Sequence, residues 1–345
     1  MGSTLKELSA ALGLSPSTIS RALSGKTPRR QSTVAQVERI RALADELGYE
    51  PNGLARSLKT RRRNIVGLVL PDIMNDYYAA AATLVQATLA DQGYRVILCV
   101  TNDDSEAEAA QIQLLREERV AGLVYVPSPR PPGVQRRATL RALDALPVVE
   151  LVRHTNTATD AVLIDDLDAG RQGAKHLLDL GHRHIAIVTG PQQLSTSHAR
   201  LAGYHEAHLA AGVPHDPTLV VSGPYRRDAA RAATLRLLEQ PSRLTALIAC
   251  SNELVIGVLQ ALAERGIRIP DQISLVGFGN SDWFTLLQPP LTTVALPIEE
   301  MAITAVHLLL KRIKLIESGD STPPGLPVIS RFQGQLTVRG STRAV

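Results

Sequence analysis

The chain has 345 residues, of which 44% are hydrophobic and 20% charged, which excludes a disordered protein and leaves room for more than one domain. No apolar run reaches membrane-spanning length, no signal-peptide pattern opens the chain, and two distant cysteines, Cys99 and Cys250, suit a reducing compartment, so a cytoplasmic protein without a disulfide framework is expected. The net charge of +4 is unevenly divided: residues 1–64 hold 12 Lys/Arg against 5 Asp/Glu, the rest 25 against 28, so a basic head that meets a polyanion is expected on a mildly acidic body.

Residues 4–23, TLKELSAALGLSPSTISRAL, read as two short amphipathic helices joined by a tight turn. Leu5, Leu8 and Leu12 fall at helical spacing, and Gly13 supplies the turn. Ser15 and Pro16 restart the chain as N-cap and first helical residue. The second helix buries Ile19 and Leu23 and exposes Ser17, Thr18 and Arg21. This pattern is a helix-turn-helix, whose second helix fits a DNA major groove and offers short polar side chains and one Arg to base edges.

A basic loop, SGKTPRRQS, follows. Thr33 then caps a third helix, with Val37, Ile40, Leu43, Ala44 and Leu47 on one face and Gly48 ending it. In YEPNGLARSLKTRRRN, Pro51 and Asn52 suit a helix start, and GLARSLK gives one to two turns. Such a helix is too short to stand alone in water and is expected to fold against DNA.

From Ile65 the pattern changes to strand–helix alternation. Ten strand-like runs are read at 65–71, 95–100, 122–127, 148–152, 161–165, 185–190, 219–223, 246–250, 274–279 and 292–297. Continuous apolar strands separated by helices mean parallel sheets covered on both faces. Ten strands exceed one comfortable open sheet, so an α/β body of two Rossmann-like sheets is expected, with ligands at the carboxyl ends of the strands.

Together, TLKELSAALGLSPSTISRAL, ELGYEPNGLARSL, IVGLVLPDIMNDYYA, RVAGLVYVPS, HLLDLGHRHIAIVTGP, RLAGYHEA, ALIACSNELVIGVLQALAERGIRIPDQISLVGF and LLQPPLTTV resemble the lactose/galactose repressor family of bacterial transcription regulators, over essentially the whole chain. The resemblance implies an all-α helix-turn-helix headpiece at residues 1–50 and a hinge helix and linker at 51–64. It also implies a periplasmic-binding-protein-like effector and dimerisation core at 65–345. Its subdomains are expected near 65–161 with 291–322 and 162–290 with 323–345. The function implied is a ligand-responsive repressor, a homodimer on a pseudo-palindromic operator, with no cofactor and no metal.

Carried residue by residue, the DNA-facing set is Thr4, Ser15, Pro16, Ser17, Thr18, Arg21, Arg29, Asn52, Ala55, Leu58 and Lys59. Leu58 is the wedge that kinks the central base step. The effector-facing set is Asp72, Asn75, Tyr77, Arg153, Asp165, Arg200, Tyr225, Asn252 and Asn280. Departures from the family pattern matter too. Gln36 and Val37 replace its phosphate-contacting Thr-Arg pair, and the longer preceding loop supplies Arg29 and Arg30. Gly279 and Asn280 replace two acidic residues, the first of which binds effector hydroxyls in the family. Without those carboxylates Arg200 lacks neutralisation, unless Asp165 supplies it. A sugar acid or small carboxylate is therefore favoured over a neutral sugar. No long heptad helix closes the chain, so the lactose repressor's tetramer-forming appendage is not expected.

Other signals are weaker. GFGN lacks the third glycine of a dinucleotide fingerprint. His198, His205 and His208 share a helix face without carboxylate or Cys partners, which reads as surface rather than metal site. His182 and His184 lie in a turn into a strand. No nucleophile or acid/base motif points to an enzyme. A sugar-binding protein without a DNA role and an α/β enzyme remain the alternatives; a gel shift with operator DNA separates the regulator from both.

Overall fold

The computed structural model describes residues 5–23, 34–47, 64–130, 146–155, 159–240, 244–318 and 326–345. They fall into two units, divided after Arg63. The first holds three helices: α1 (Leu5–Leu12), α2 (Pro16–Leu23) and α3 (Val34–Glu46). Leu8, Ile19, Ala22, Ile40 and Ala44 form its small core, with Leu12, Leu14, Leu23, Val37 and Leu43 packed around them. Gly13 makes the turn at φ +64°, a conformation open to glycine. Leu47 departs from the sequence reading: it is 40% exposed, because α3 ends before it and the buried stripe ends with the helix.

The second unit contains two six-stranded sheets among the described residues. The first takes β1 (Ile65–Leu70), β2 (Arg95–Val100), β3 (Gly122–Tyr125), β4 (Val148–Val152), β5 (Asp160–Ile164) and β11 (Ile329–Phe332), in the order β11-β5-β4-β3-β1-β2. All its pairings are parallel. The second takes β6 (Ile185–Thr189), β7 (Val220–Ser222), β8 (Ala246–Ala249), β9 (Ser274–Phe278), β10 (Thr292–Ala295) and β12 (Gln335–Thr337), in the order β12-β10-β9-β8-β6-β7. Only β12 runs antiparallel to its neighbour.

Helices α4 (Asp76–Asp91), α5 (Ser105–Glu117) and α11 (Ile298–Glu317) pack on the first sheet or its helices, giving a first lobe. Helices α6 (Asp166–Asp179), α7 (Ser195–Ala210), α8 (Arg227–Glu239), α9 (Asn252–Glu264) and the short α10 (Trp283–Leu286) belong to the second. Burial explains the apolar runs: β3, β4, β5, β6, β8 and β9 are buried along their whole length.

The α/β architecture is the expected one, but two strands and the lobe boundaries are not. β11 and β12 are half-exposed strands at sheet edges, and their apolar signal is correspondingly weak. β10 lies in the second sheet and β11 in the first. The chain therefore changes lobe at Asp165, after β10 and between β11 and β12, not near 161, 290 and 322. The reason is pairing: β5 needs β4 beside it, and β10 adds to β9. No helix of the described residues is long and apolar enough to cross a membrane.

Candidate functional site

The strands of both sheets end on a cleft between the lobes, where a cavity is partly open to solvent. Ligand sites of open α/β sheets lie at such carboxyl ends.

The first lobe supplies a loop and two tyrosines after β1. Asp72 accepts the Met74 N–H at 2.7 Å, and Asn75 caps α4 by accepting the Tyr77 N–H at 3.1 Å. These two side chains therefore shape the loop as well as line the cavity. Tyr77 and Tyr78 meet edge to face, with centroids 5.3 Å apart. Burial pushes the Tyr78 phenol up to about 12 and Tyr77 higher still, so both are neutral donors. The Tyr77 hydroxyl is buried without a partner among the described residues.

Arg153 follows β4 through a strained turn. Val152 holds φ +67°, and the Arg153 N–H donates back to the Leu151 carbonyl at 2.7 Å. A β-branched residue in that conformation is costly, and such strain concentrates at functional sites. The Arg153 guanidinium is anchored by Asp103, with a second bond to Asp103 Oδ2 at 3.2 Å, and by the Pro127 carbonyl at 3.0 Å. It also lies 5.9 Å from the centre of the Tyr225 ring on the opposite wall.

The second lobe supplies Arg200, whose place is set by helix packing. α6 and α7 touch closely enough that a Cβ on Gly170 would lie 2.1 Å from the Arg200 carbonyl oxygen. Arg200 Nε donates to Asp166 Oδ1 at 2.8 Å, Nη2 lies 2.7 Å from the same atom, and Nη1 donates to the Cys250 carbonyl at 2.6 Å. The guanidinium also stacks on the Phe278 ring at 4.9 Å. Burial works against this charge, and Asp166 more than offsets it, holding Arg200 firmly protonated. Burial pushes the neighbouring Cys250 thiol up to about 12, so it is neutral. Tyr225 bonds Ser197 Oγ at 2.9 Å and fits only because residue 190 is glycine: a Cβ there would lie 2.2 Å from its ring.

Of the effector residues expected from sequence, Asp72, Asn75, Tyr77, Arg153, Arg200, Tyr225 and Asn252 line this one cavity. Asp165 does not. It caps α6, accepting the Asp168 N–H at 3.1 Å, while its own N–H bonds Phe332 O at the change of lobe. Asn280 does not either. Gly279 turns the backbone at φ +105°, and Asn280 stands exposed, accepting from Arg339 Nη2 at 3.1 Å. The premise that Arg200 lacks a counter-charge is also overturned, since Asp166 rather than Asp165 supplies it.

The cavity includes Gly279, at the position the family resemblance points to, and Tyr78, Asp103, Thr196, Ser251, Phe278 and Leu296, which the sequence reading missed. Asp103, Ser251 and Leu296 each follow a strand end, so the carboxyl-end rule applied to every strand would have found them. Thr196 stands one turn before Arg200 on α7.

In the first unit, Ser15, Pro16 and Ser17 are exposed at the start of α2 and Thr18 is half-buried. Ser15 Oγ accepts the Thr18 N–H at 3.2 Å, as an N-cap should, and lies 2.8 Å from Ser17 Oγ. The Arg21 side chain, Thr4, Arg29, Asn52, Ala55, Leu58 and Lys59 lie outside the described residues. Among the described residues no group of three His, Cys, Asp or Glu could hold a metal ion. His205 stacks on His215 at 4.2 Å, and His208 lies 4.2 Å from Tyr204.

Residues 174–342 match the periplasmic binding protein-like domain. The HTH-type transcriptional regulator DegA of Bacillus subtilis is 30% identical over 307 residues, covering 87% of this chain and 88% of that protein. The solved transcriptional regulator CelR–cellobiose complex is 28% identical, with a TM-score of 0.72, over 98% of this chain and 99% of that one. The Lac repressor dimer bound to operator and the anti-inducer ONPF shares the fold, with a TM-score of 0.83 at 21% identity over the whole of both chains. A helix-turn-helix head, a two-lobed cleft and a 30% identical match to such a regulator over 87% of the chain agree: the chain belongs to the lactose repressor (LacI) family of HTH-type transcriptional regulators.

Proposed function

We propose that the cleft takes a neutral polyhydroxylated effector, a sugar in the first instance, and that its occupancy gates operator binding by the helix-turn-helix head. The carrying observation is that each buried guanidinium in the cleft already has a carboxylate, Asp166 for Arg200 and Asp103 for Arg153. With Asp72 also on the wall, an anionic ligand would add charge where none is missing. What the walls offer instead is neutral phenols, fixed guanidinium donors, carboxylate acceptors and aromatic faces. Such a set suits hydroxyls on a ring with apolar C–H faces. The CelR neighbour's complex with cellobiose is in keeping with this.

The gating follows from linkage. Effector shifts the lobe equilibrium only by its different affinity for the two arrangements, and the factor by which it changes DNA affinity is the factor by which DNA changes effector affinity. In this reading residues 1–50 read the half-site, 51–64 form the hinge helix that folds against DNA, and 65–345 bind effector and pair two chains. A two-fold dimer reads a pseudo-palindrome. Ser15, Pro16, Ser17, Thr18 and Arg21 face the major groove, and Leu58 wedges the minor groove.

The test is a thermal-shift screen with matched aldoses and aldonates, followed by operator binding with and without each hit. A ligand at a hundred times its Kd adds about 2.7 kcal/mol of stability. The aldose should raise Tm and change operator affinity. Tighter binding of the aldonate would overturn the effector assignment. Arg21→Ala should cost about 1–3 kcal/mol and relax sequence choice, whereas uniform weakening on all sequences would make Arg21 a phosphate contact.

A further inference from the structure

We propose that Asp76 is a positioning residue for the cavity-facing amide of Asn252 and, through the same bond, the latch that holds the two lobes together across the cleft. Asp76 is the first residue of α4 in the first lobe, and Asn252 the first residue of α9 in the second. The Asn252 Nδ2 group donates to Asp76 Oδ1. Asp76 is exposed and does not line the cavity, whereas Asn252 is 6% exposed and does. Asp76 therefore acts through Asn252.

The chemistry fixes which way the amide points. An ionised carboxylate has no hydrogen to give, so the NH2 group must face Asp76 and the amide oxygen must face away. On that other side stands Gly279, where a Cβ would lie 2.1 Å from Asn252 Oδ1. The absent side chain is what makes room for the oxygen. Among the described residues no protein group donates to that oxygen. The cavity wall at Gly279 thus presents an unspent acceptor, held in place from the opposite lobe.

The latch is also electrostatically placed. Asp76 lies at the N-terminus of its own helix and bonds the first side chain of a second one, so two positive helix ends favour its charge. Its Oδ1 accepts the Tyr77 N–H at 2.9 Å as well. A second contact crosses the cleft further along, the His154 N–H donating to Ser195 Oγ at 3.1 Å. Closure and the orientation of Asn252 are then one event. A ligand that places a hydroxyl or amine hydrogen against Asn252 Oδ1 finds that acceptor aligned only when the lobes are latched. This ligand preference rests on the effector reading above, but the latch does not, and its test needs no ligand.

Amide hydrogen exchange of the ligand-free full chain, read over residues 72–80 and 250–256, makes that test. Asp76→Ala removes the acceptor, and Asn252→Asp sets two carboxylates against each other. Each should speed exchange about tenfold in both segments, the scale of losing a hydrogen bond to a charged group. The double variant Asp76→Asn with Asn252→Asp exchanges donor and acceptor between the lobes and should return both segments to near the parent rate. A change confined to 72–80 in Asp76→Ala, which is what loss of a helix-end charge alone would give, overturns the latch. So does a double variant no slower than the singles.

Discussion

Each wall of the cleft buries one guanidinium, and the two differ in how dry the partner is. Arg200 is 5% exposed, and its partner Asp166 is equally enclosed, with a carbonyl and an aromatic face completing the cage. Arg153 is 3% exposed, but the Asp103 side chain is 28% exposed and the backbone beneath it is strained at Val152. The second wall holds its charge as part of a packed core. The first holds it at the rim, where water reaches one end of the pair. Since water at one end already weakens the attraction within the first wall's pair, removing the carboxylate should cost less there than in the dry second wall.

The largest effect is therefore expected from Asp166→Asn. It leaves Arg200 charged and buried, at a cost of about 3–5 kcal/mol by urea unfolding. Asp103→Asn should cost less, about 1–3 kcal/mol, because Arg153 keeps the Pro127 carbonyl and solvent already reaches the Asp103 end of the pair. Equal losses in the two variants would remove the contrast between the walls. Gly279→Ala comes next. A Cβ at φ +105° and 2.1 Å from Asn252 Oδ1 cannot be housed without moving Asn252, so a loss of roughly 1–3 kcal/mol is expected, with the 250–256 segment exchanging faster. Unchanged exchange there would show that the second wall has more slack than its packing indicates.

The two walls were also unequally legible in the sequence. The first wall's Asp72, Asn75 and Tyr77 sit together just after one strongly apolar strand, so the carboxyl-end rule finds them at once. Arg200 was reachable through RLAGYHEA, but its counter-charge was not. Asp165 and Asp166 are adjacent and identical in type, and only the helix start decides between them: Asp165 turns back to cap α6 while Asp166 faces Arg200. Charge bookkeeping from sequence put the wrong residue beside Arg200, and an anionic effector lost its rationale with it. Asn280 failed for a related reason, since one positive-φ glycine before it sends the side chain outward. The α/β class was plain because buried parallel strands are apolar throughout. β11 and β12 were not, because edge strands carry little apolar signal.

The smallest effect, and the one that sharpens the comparison most, is its pH dependence. His176, His182, His205 and His208 all lie in the second lobe, and burial holds each below its ordinary value of 6.5. The unfolded chain takes up protons near 6.5 that the folded lobe refuses, so it binds more protons as the pH falls through that value. Stability should be full above the ordinary histidine range and decline on acidification until the folded values are reached. Trp283, the one tryptophan in the chain, belongs to the second lobe and reports it directly. Its fluorescence-monitored urea midpoint should fall between pH 7.5 and pH 5.5. His182 bonds Thr245 Oγ1 at 2.9 Å, and Ser274 Oγ and the Arg343 carbonyl at 3.1 Å each. His182→Gln removes one of the four titrations and should make the decline shallower, though it lowers the midpoint at both pH values by weakening that network. A decline as steep in the variant as in the parent would mean that the carboxylates, not the buried histidines, make the second lobe acid-sensitive.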